Sequence, residues 1–138
     1  MIRLLFCLFI FLISCRNNSV NQEERLEFFL QDFSEATSPK LLFLFLEGCT
    51  SCHEYQNTLY QEALLDPNYQ VFLVTKSIKK AKLIFGMVPD GKVFFDKELD
   101  SVDLGLVTGV PIVYFLSDSR KQIDRFEISF EQVHLGLP

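Results

Sequence analysis

The residues best suited to chemistry in this sequence are two cysteines separated by two residues, Cys49 and Cys52, with His53 directly after them. This spacing admits three chemistries: attachment of a c-type haem, one half of a zinc site, or a redox dithiol. A closed zinc site needs four ligands, and the second histidine, His134, is far away in the sequence. We therefore expect no metal site, and the spacing alone leaves the haem and the dithiol open.

The first fourteen residues have the build of a secretory signal peptide, with Arg3 followed by an apolar run over residues 4–13. This run is shorter than the ~20 apolar residues that a membrane-spanning helix needs. Its end, Leu12-Ile13-Ser14-Cys15, resembles a bacterial lipobox, in which the cysteine is lipidated and becomes the mature N-terminus. We expect a signal peptide at 1–14, a lipidated tether at 15–22 and a folded domain at 23–138. The alternative is an uncleaved anchor with an incidental cysteine.

The four cysteines of the chain have separate fates in this interpretation. Cys7 leaves with the signal peptide and Cys15 carries the lipid, so only Cys49 and Cys52 remain in the domain. A disulfide that closes a two-residue gap removes little entropy from the unfolded chain, which favours chemistry over stabilisation. Outside the cytosol such a pair can cycle through its oxidised form. The formal charge of −5 argues against nucleic acid as a partner.

Helical and extended patterns alternate around the motif. We predict helices at 23–35, 50–65 and 77–85, strands at 40–46, 69–75, 112–116 and 122–127, a strand or ordered loop at 93–95, and a short terminal helix from Ser129. This order predicts an α/β fold with a mixed sheet and helices on both faces.

Cys49 then lies where a strand ends and a helix begins. Backbone N–H groups and the helix dipole favour the thiolate at that position. Cys49 therefore attacks, and Cys52, one turn further along, resolves.

Three segments resemble the thioredoxin superfamily over about residues 24–135. They are the strand LLFLFLE, the motif Cys49-Thr50-Ser51-Cys52 at the start of a helix, and Gly109-Val110-Pro111 before the penultimate strand. The resemblance implies a thioredoxin-like three-layer α/β/α sandwich with a central mixed sheet. It also implies that Pro111 is cis and faces the dithiol across a substrate groove, where Val110 offers its backbone to a bound peptide. Thr50, Ser51, His53 and Glu47 are then the residues that tune the thiols, and no cofactor is needed.

The sequence departs from that family at several positions. Gly48 replaces a tryptophan, and Phe43 occupies the position where many members bury an acidic or amide group that takes the proton of the resolving thiol. Glu47, or His53 through a water, could take over this role, although a surface role for Glu47 is the other interpretation. The usual helix-kinking proline is missing, and the terminal helix is short.

We therefore expect a lipid-anchored protein of the bacterial cell envelope that exchanges disulfides with other proteins. Its partners are envelope proteins with disulfides or dithiols, a redox partner that recycles Cys49 and Cys52, and the membrane itself. One alternative is a non-catalytic binding or assembly module with the same fold. The other is a c-type haem protein with Met87 or His134 as the distal ligand.

Overall fold

The computed structural model describes residues 20–48, 50–120, 122–129 and 131. The predicted signal peptide, Cys15 and most of the predicted terminal helix lie outside these residues. So do Cys49 and His134.

Helices and strands alternate along most of the described chain. The helices are α1 (Val20–Leu30), α2 (His53–Leu65), α3 (Ile78–Phe85) and α4 (Asp100–Asp103), and a 3-10 turn at Thr50–Cys52 precedes α2. The strands are β1 (Lys40–Phe45), β2 (Tyr69–Val74), β3 (Val93–Asp96), β4 (Ile112–Leu116) and β5 (Ile123–Glu127). Residues 93–95, which the sequence left as a strand or a loop, thus belong to a strand.

The strands form one sheet in the order β3-β2-β1-β4-β5. Strands β1, β2 and β3 are parallel, and β4 runs antiparallel to both β1 and β5. Helices α2 and α3 pack on one face of the sheet, while α1 and the segment around α4 pack on the other. The predicted three-layer α/β/α sandwich with a central mixed sheet is confirmed.

The central strand β1 is buried on both faces, which explains its unbroken apolar sequence. Leu42 and Leu44 pack in the core cluster with α2 and α3. Leu41 and Phe43, which alternate with them along the strand, pack in the cluster with α1. The sheet therefore separates two cores, and each of the four buried residues of β1, Leu41 to Leu44, belongs to one of them.

Both predicted ends of the first helix are wrong. The helix begins at Val20, inside the segment predicted as tether, and ends at Leu30 instead of residue 35. The chain then turns tightly, since the Phe33 N–H donates to the Leu30 carbonyl at 3.0 Å and the Ala36 N–H donates to the Phe33 carbonyl at 2.8 Å. Phe33 reaches the core from this turn, with its ring edge-on to Phe72 at 5.1 Å. Its helical spacing in the sequence thus reflects core packing and not a continued helix.

Helix α3 begins where the sequence predicts. The Oγ of Ser77 accepts a hydrogen bond from the Lys80 N–H at 3.1 Å, which satisfies one backbone donor of the first turn. Among residues 20–48, 50–120, 122–129 and 131, no helix combines the length and apolar composition that crossing a membrane requires.

Candidate active site

The reactive motif lies at the carboxyl edge of the sheet. Strand β1 ends at Phe45, and the 3-10 turn Thr50–Cys52 leads into α2 at His53. Cys52 is the N-cap residue of α2 and is only 9% exposed, whereas Thr50 and Ser51 are exposed. Cys52 thus lies at the start of α2, whereas the strand-to-helix junction was predicted for Cys49. Cys49 lies outside the described residues, so its thiolate character stays a prediction.

Glu47 is held by the end of the neighbouring strand. Its Oε1 accepts hydrogen bonds from Thr75 Oγ1 at 2.6 Å and from the Lys76 N–H at 2.8 Å. These two hydrogen bonds hold the pKa of the Glu47 carboxyl below its usual value. The bond from the Thr75 hydroxyl has the larger effect, and the bond from the Lys76 backbone amide has the smaller. Next to it, the Lys80 ammonium donates to the Leu46 carbonyl. Glu47 thus ties the chain after β1 to the end of β2, and these contacts, with the exposure of the residue, favour the surface role over that of a proton acceptor.

Phe43 lies on the wrong side of the sheet to serve the resolving cysteine. It is fully buried, and its ring stacks on Phe72 at 4.7 Å with an interplanar angle of 11°. Both rings belong to the cluster that packs against α1, while α2 buries Tyr55 and Leu59 in the opposite cluster. A polar group at position 43 would therefore face the core under α1.

Val110 and Pro111 lie at the expected edge of the sheet but with a different backbone conformation. Ile112 pairs with Phe43 near the end of β1, which places Pro111 at the same edge as Cys52. The described residues contain no cis peptide bond, so the expectation of a cis Val110–Pro111 bond is wrong. The trans bond is the lower-energy state. It leads directly into β4, with the Pro111 carbonyl accepting from the Ile128 N–H at 2.9 Å.

Two polar residues of α2 that the sequence reasoning missed anchor this helix to the sheet. The Tyr55 hydroxyl donates to the carbonyls of Ile128 at 2.9 Å and Ser129 at 2.6 Å, just after β5. The Gln56 side chain, 2% exposed, donates from Nε2 to the Phe45 carbonyl at 2.8 Å. The sequence held one signal of this anchoring role: a glutamine stands among the apolar residues on the buried face of α2.

His53 opens α2 and is partly buried, and its Nε2 atom is buried with no hydrogen-bond partner among the described residues. Met87, the predicted distal haem ligand, lies away from His53. Its carbonyl accepts a hydrogen bond from the hydroxyl of Tyr60, and Tyr60 is about two helical turns further along α2 than His53. This separation disfavours Met87 as a ligand opposite His53. The described residues also contain no group of three or more His, Cys, Asp or Glu side chains placed to hold a metal ion.

Comparison with known proteins adds no family to this description. No protein-family model matches the chain, and no curated protein matches it. The thioredoxin resemblance depends on the three sequence segments described above, and the described residues show an α/β sandwich with a mixed sheet.

Proposed function

We propose that this protein is a thiol–disulfide oxidoreductase that uses Cys49 and Cys52. The observation that carries the proposal is the position of Cys52, a nearly buried thiol at the amino end of α2 beside the carboxyl end of the central strand. Reactive groups of open α/β sheets collect at this edge. Cys49 comes just before the 3-10 turn that leads into this helix, where free backbone donors favour a thiolate.

The reaction proceeds in two exchanges. The Cys49 thiolate attacks one sulfur of a substrate disulfide, so that a mixed disulfide forms and the other substrate sulfur leaves as a thiolate. The Cys52 thiolate then attacks Cys49 Sγ, which forms the intramolecular disulfide and releases the second substrate thiolate. A redox partner must reduce the Cys49–Cys52 disulfide for another cycle, and the reduction potential of the pair decides the net direction.

The insulin turbidity assay with dithiothreitol tests this activity. We expect the wild-type protein to accelerate precipitation and Cys49→Ser to abolish the acceleration. Cys15→Ser is the matched control, because it removes a cysteine of the same chain outside the dithiol and should leave the rate unchanged. Wild-type protein that does not accelerate precipitation would refute the proposal.

We also propose that the protein is lipid-anchored in the bacterial cell envelope through Cys15. The support is the apolar run that stops at Ser14-Cys15. Metabolic labelling with a radioactive fatty acid should mark the wild-type protein and leave Cys15→Ser unlabelled. Label in both proteins would contradict this assignment. With the anchor, the partners are disulfide-containing or dithiol proteins of the envelope, and a Cys52→Ser variant should trap them as mixed disulfides.

A second candidate function is a non-catalytic binding or assembly module. The observation that favours it is that no buried carboxylate among the described residues adjoins Cys52. The one buried carboxylate among the described residues, Asp96, accepts from the backbone of Asp100 and from Ser101 at the start of α4. An inactive wild-type protein in the insulin assay would favour this module. A Soret band after periplasmic expression with the haem-attachment machinery would instead indicate the c-type haem protein.

A further inference from the structure

The charged residues of the chain are divided between two helices. Residues 67–89, which include α3, contain four lysines and no acidic residue, although the whole chain has a net charge of −5. Residues 23–35, which include most of α1, contain five acidic residues and one basic residue. The two helices therefore carry opposite charge.

The exposed side chains of α3 form one stripe along the helix. Lys79, Lys82 and Leu83 are all exposed, and residues three and four apart lie on the same side of a helix. Leu83 is 78% exposed, whereas Ala81 and Phe85 of the same helix are buried. Neither Lys79 nor Lys82 lies within ion-pair distance of an acid among the described residues. Lys79, Lys82 and Leu83 thus form a basic stripe with an apolar end.

The exposed side of α1 has the same arrangement with the opposite charge. Glu24, Glu27 and Phe28 are exposed, their spacing is again three and four residues, and Phe28 is 61% exposed. Neither glutamate forms an ion pair with a described residue, and the neighbouring Arg25 donates to the Leu104 carbonyl at 3.3 Å. Glu24, Glu27 and Phe28 thus form an acidic stripe that matches the basic stripe position by position.

The basic stripe and the acidic stripe cannot meet within one molecule. Helix α1 packs on one face of the sheet, and α3 packs on the other. A contact between the stripes therefore needs two copies of the chain. Because two different surfaces meet, such a contact joins the copies head to tail.

We infer that this protein associates with itself head to tail, with the basic stripe of one copy packed on the acidic stripe of the next. Two pairs of lysine and glutamate then lie beside a contact between Leu83 and Phe28. Opposite charges favour this alignment and disfavour the contact of two like stripes, while the two apolar side chains leave water together. Cys52, at the amino end of α2, belongs to neither stripe, so the inference does not depend on the proposed function.

A second copy suits these surfaces better than another occupant does. An anionic membrane would attract the basic stripe only, and so would an acidic protein of another kind. Both would leave Phe28 and the two glutamates beside it uncovered. A second copy covers both stripes with one contact.

Sedimentation velocity of the full chain in a non-ionic detergent measures this association. We expect species larger than the monomer in low salt, with a fraction that rises with protein concentration. They should dissociate between about 0.1 M and 1 M salt, where the screening length falls from about 10 Å to about 3 Å.

Charge reversal tests which surfaces meet. The double variants Lys79→Glu/Lys82→Glu and Glu24→Lys/Glu27→Lys should each weaken the association by about tenfold or more, because attraction becomes repulsion. An equal mixture of the two variants should restore the association, since each offers the other a stripe of opposite charge. A variant that had failed to fold would not be restored by mixing.

Lys97→Glu and Leu65→Ser are the matched controls, because both residues are exposed and lie outside the two stripes. Neither control should change the association, whereas Leu83→Ser should weaken it. A wild-type protein that stays monomeric in low salt overturns the inference. So does an association that both charge variants leave unchanged, or one that their mixture fails to restore.

Discussion

Replacing Phe43 with an acid distinguishes the family resemblance from the structure. The resemblance places a proton-accepting acid at this position, so Phe43→Asp should speed the resolving step if the family geometry holds. The structure instead places the side chain in the apolar core under α1, on the face of the sheet away from α2. We expect Phe43→Asp to unfold the protein without activating it.

The magnitude follows from the contacts of this ring. Phe43 stacks on Phe72 at 4.7 Å, meets Tyr114 edge-on at 5.5 Å and lies 5.7 Å from Phe29. Removing a buried phenylalanine costs about 3–5 kcal/mol, and an unpaired buried polar group adds about 1–3 kcal/mol. The sum is comparable to the entire free energy of unfolding of a domain, about 5–15 kcal/mol. Phe43→Leu keeps the site apolar and should cost only about 1–2 kcal/mol through the lost ring contacts.

Urea unfolding followed by far-UV circular dichroism measures both variants. Burial raises the pKa of the introduced carboxyl above its unfolded value of about 3.9. The folded state then binds the proton more tightly, and the variant should gain stability as the pH falls toward 4. If Phe43→Asp lies within about 1 kcal/mol of wild type at pH 7, or resolves mixed disulfides faster than wild type, the placement of Phe43 away from the dithiol is wrong.

Three further predictions concern contacts described above. Because the Thr75 hydroxyl lowers the Glu47 pKa, the stability that Glu47 contributes is present above its unfolded pKa of about 4.3 and is lost as the pH falls through the lower folded value. Urea unfolding of wild type and Glu47→Gln should therefore converge in acid, and a constant difference down to pH 2 would contradict this. Ser77→Ala should cost about 1 kcal/mol in the same assay and Ser77→Asp much less, because aspartate can also cap α3; equal losses would exclude the cap. Burial raises the pKa of three tyrosines to about 12. Absorbance at 295 nm should therefore show no ionisation of these tyrosines at pH 10, and the free energy of unfolding should fall as the pH rises past 10. Ionisation with a midpoint at pH 10 would refute their burial. The three are Tyr55, Tyr60 and Tyr69.

The sequence by itself determined the alternation of strands and helices and the start of a helix directly after the pair of cysteines. These features depend on short-range signals, such as the unbroken apolar sequence of β1 and the serine at position 77, which caps α3. Each is set by the conformational preferences of neighbouring residues, which the sequence states directly.

Only the tertiary structure decided which side chains surround the dithiol. The partner of Glu47, Thr75, lies 28 residues away, and the partner of the Tyr55 hydroxyl, Ile128, lies 73 residues away. Such contacts depend on which strands of a distant part of the chain become neighbours, and the residues of one strand do not specify a partner so far away. For the same reason the face that Phe43 occupies, the trans bond before Pro111 and the placement of α1 and α3 on opposite faces appear only when the sheet is assembled.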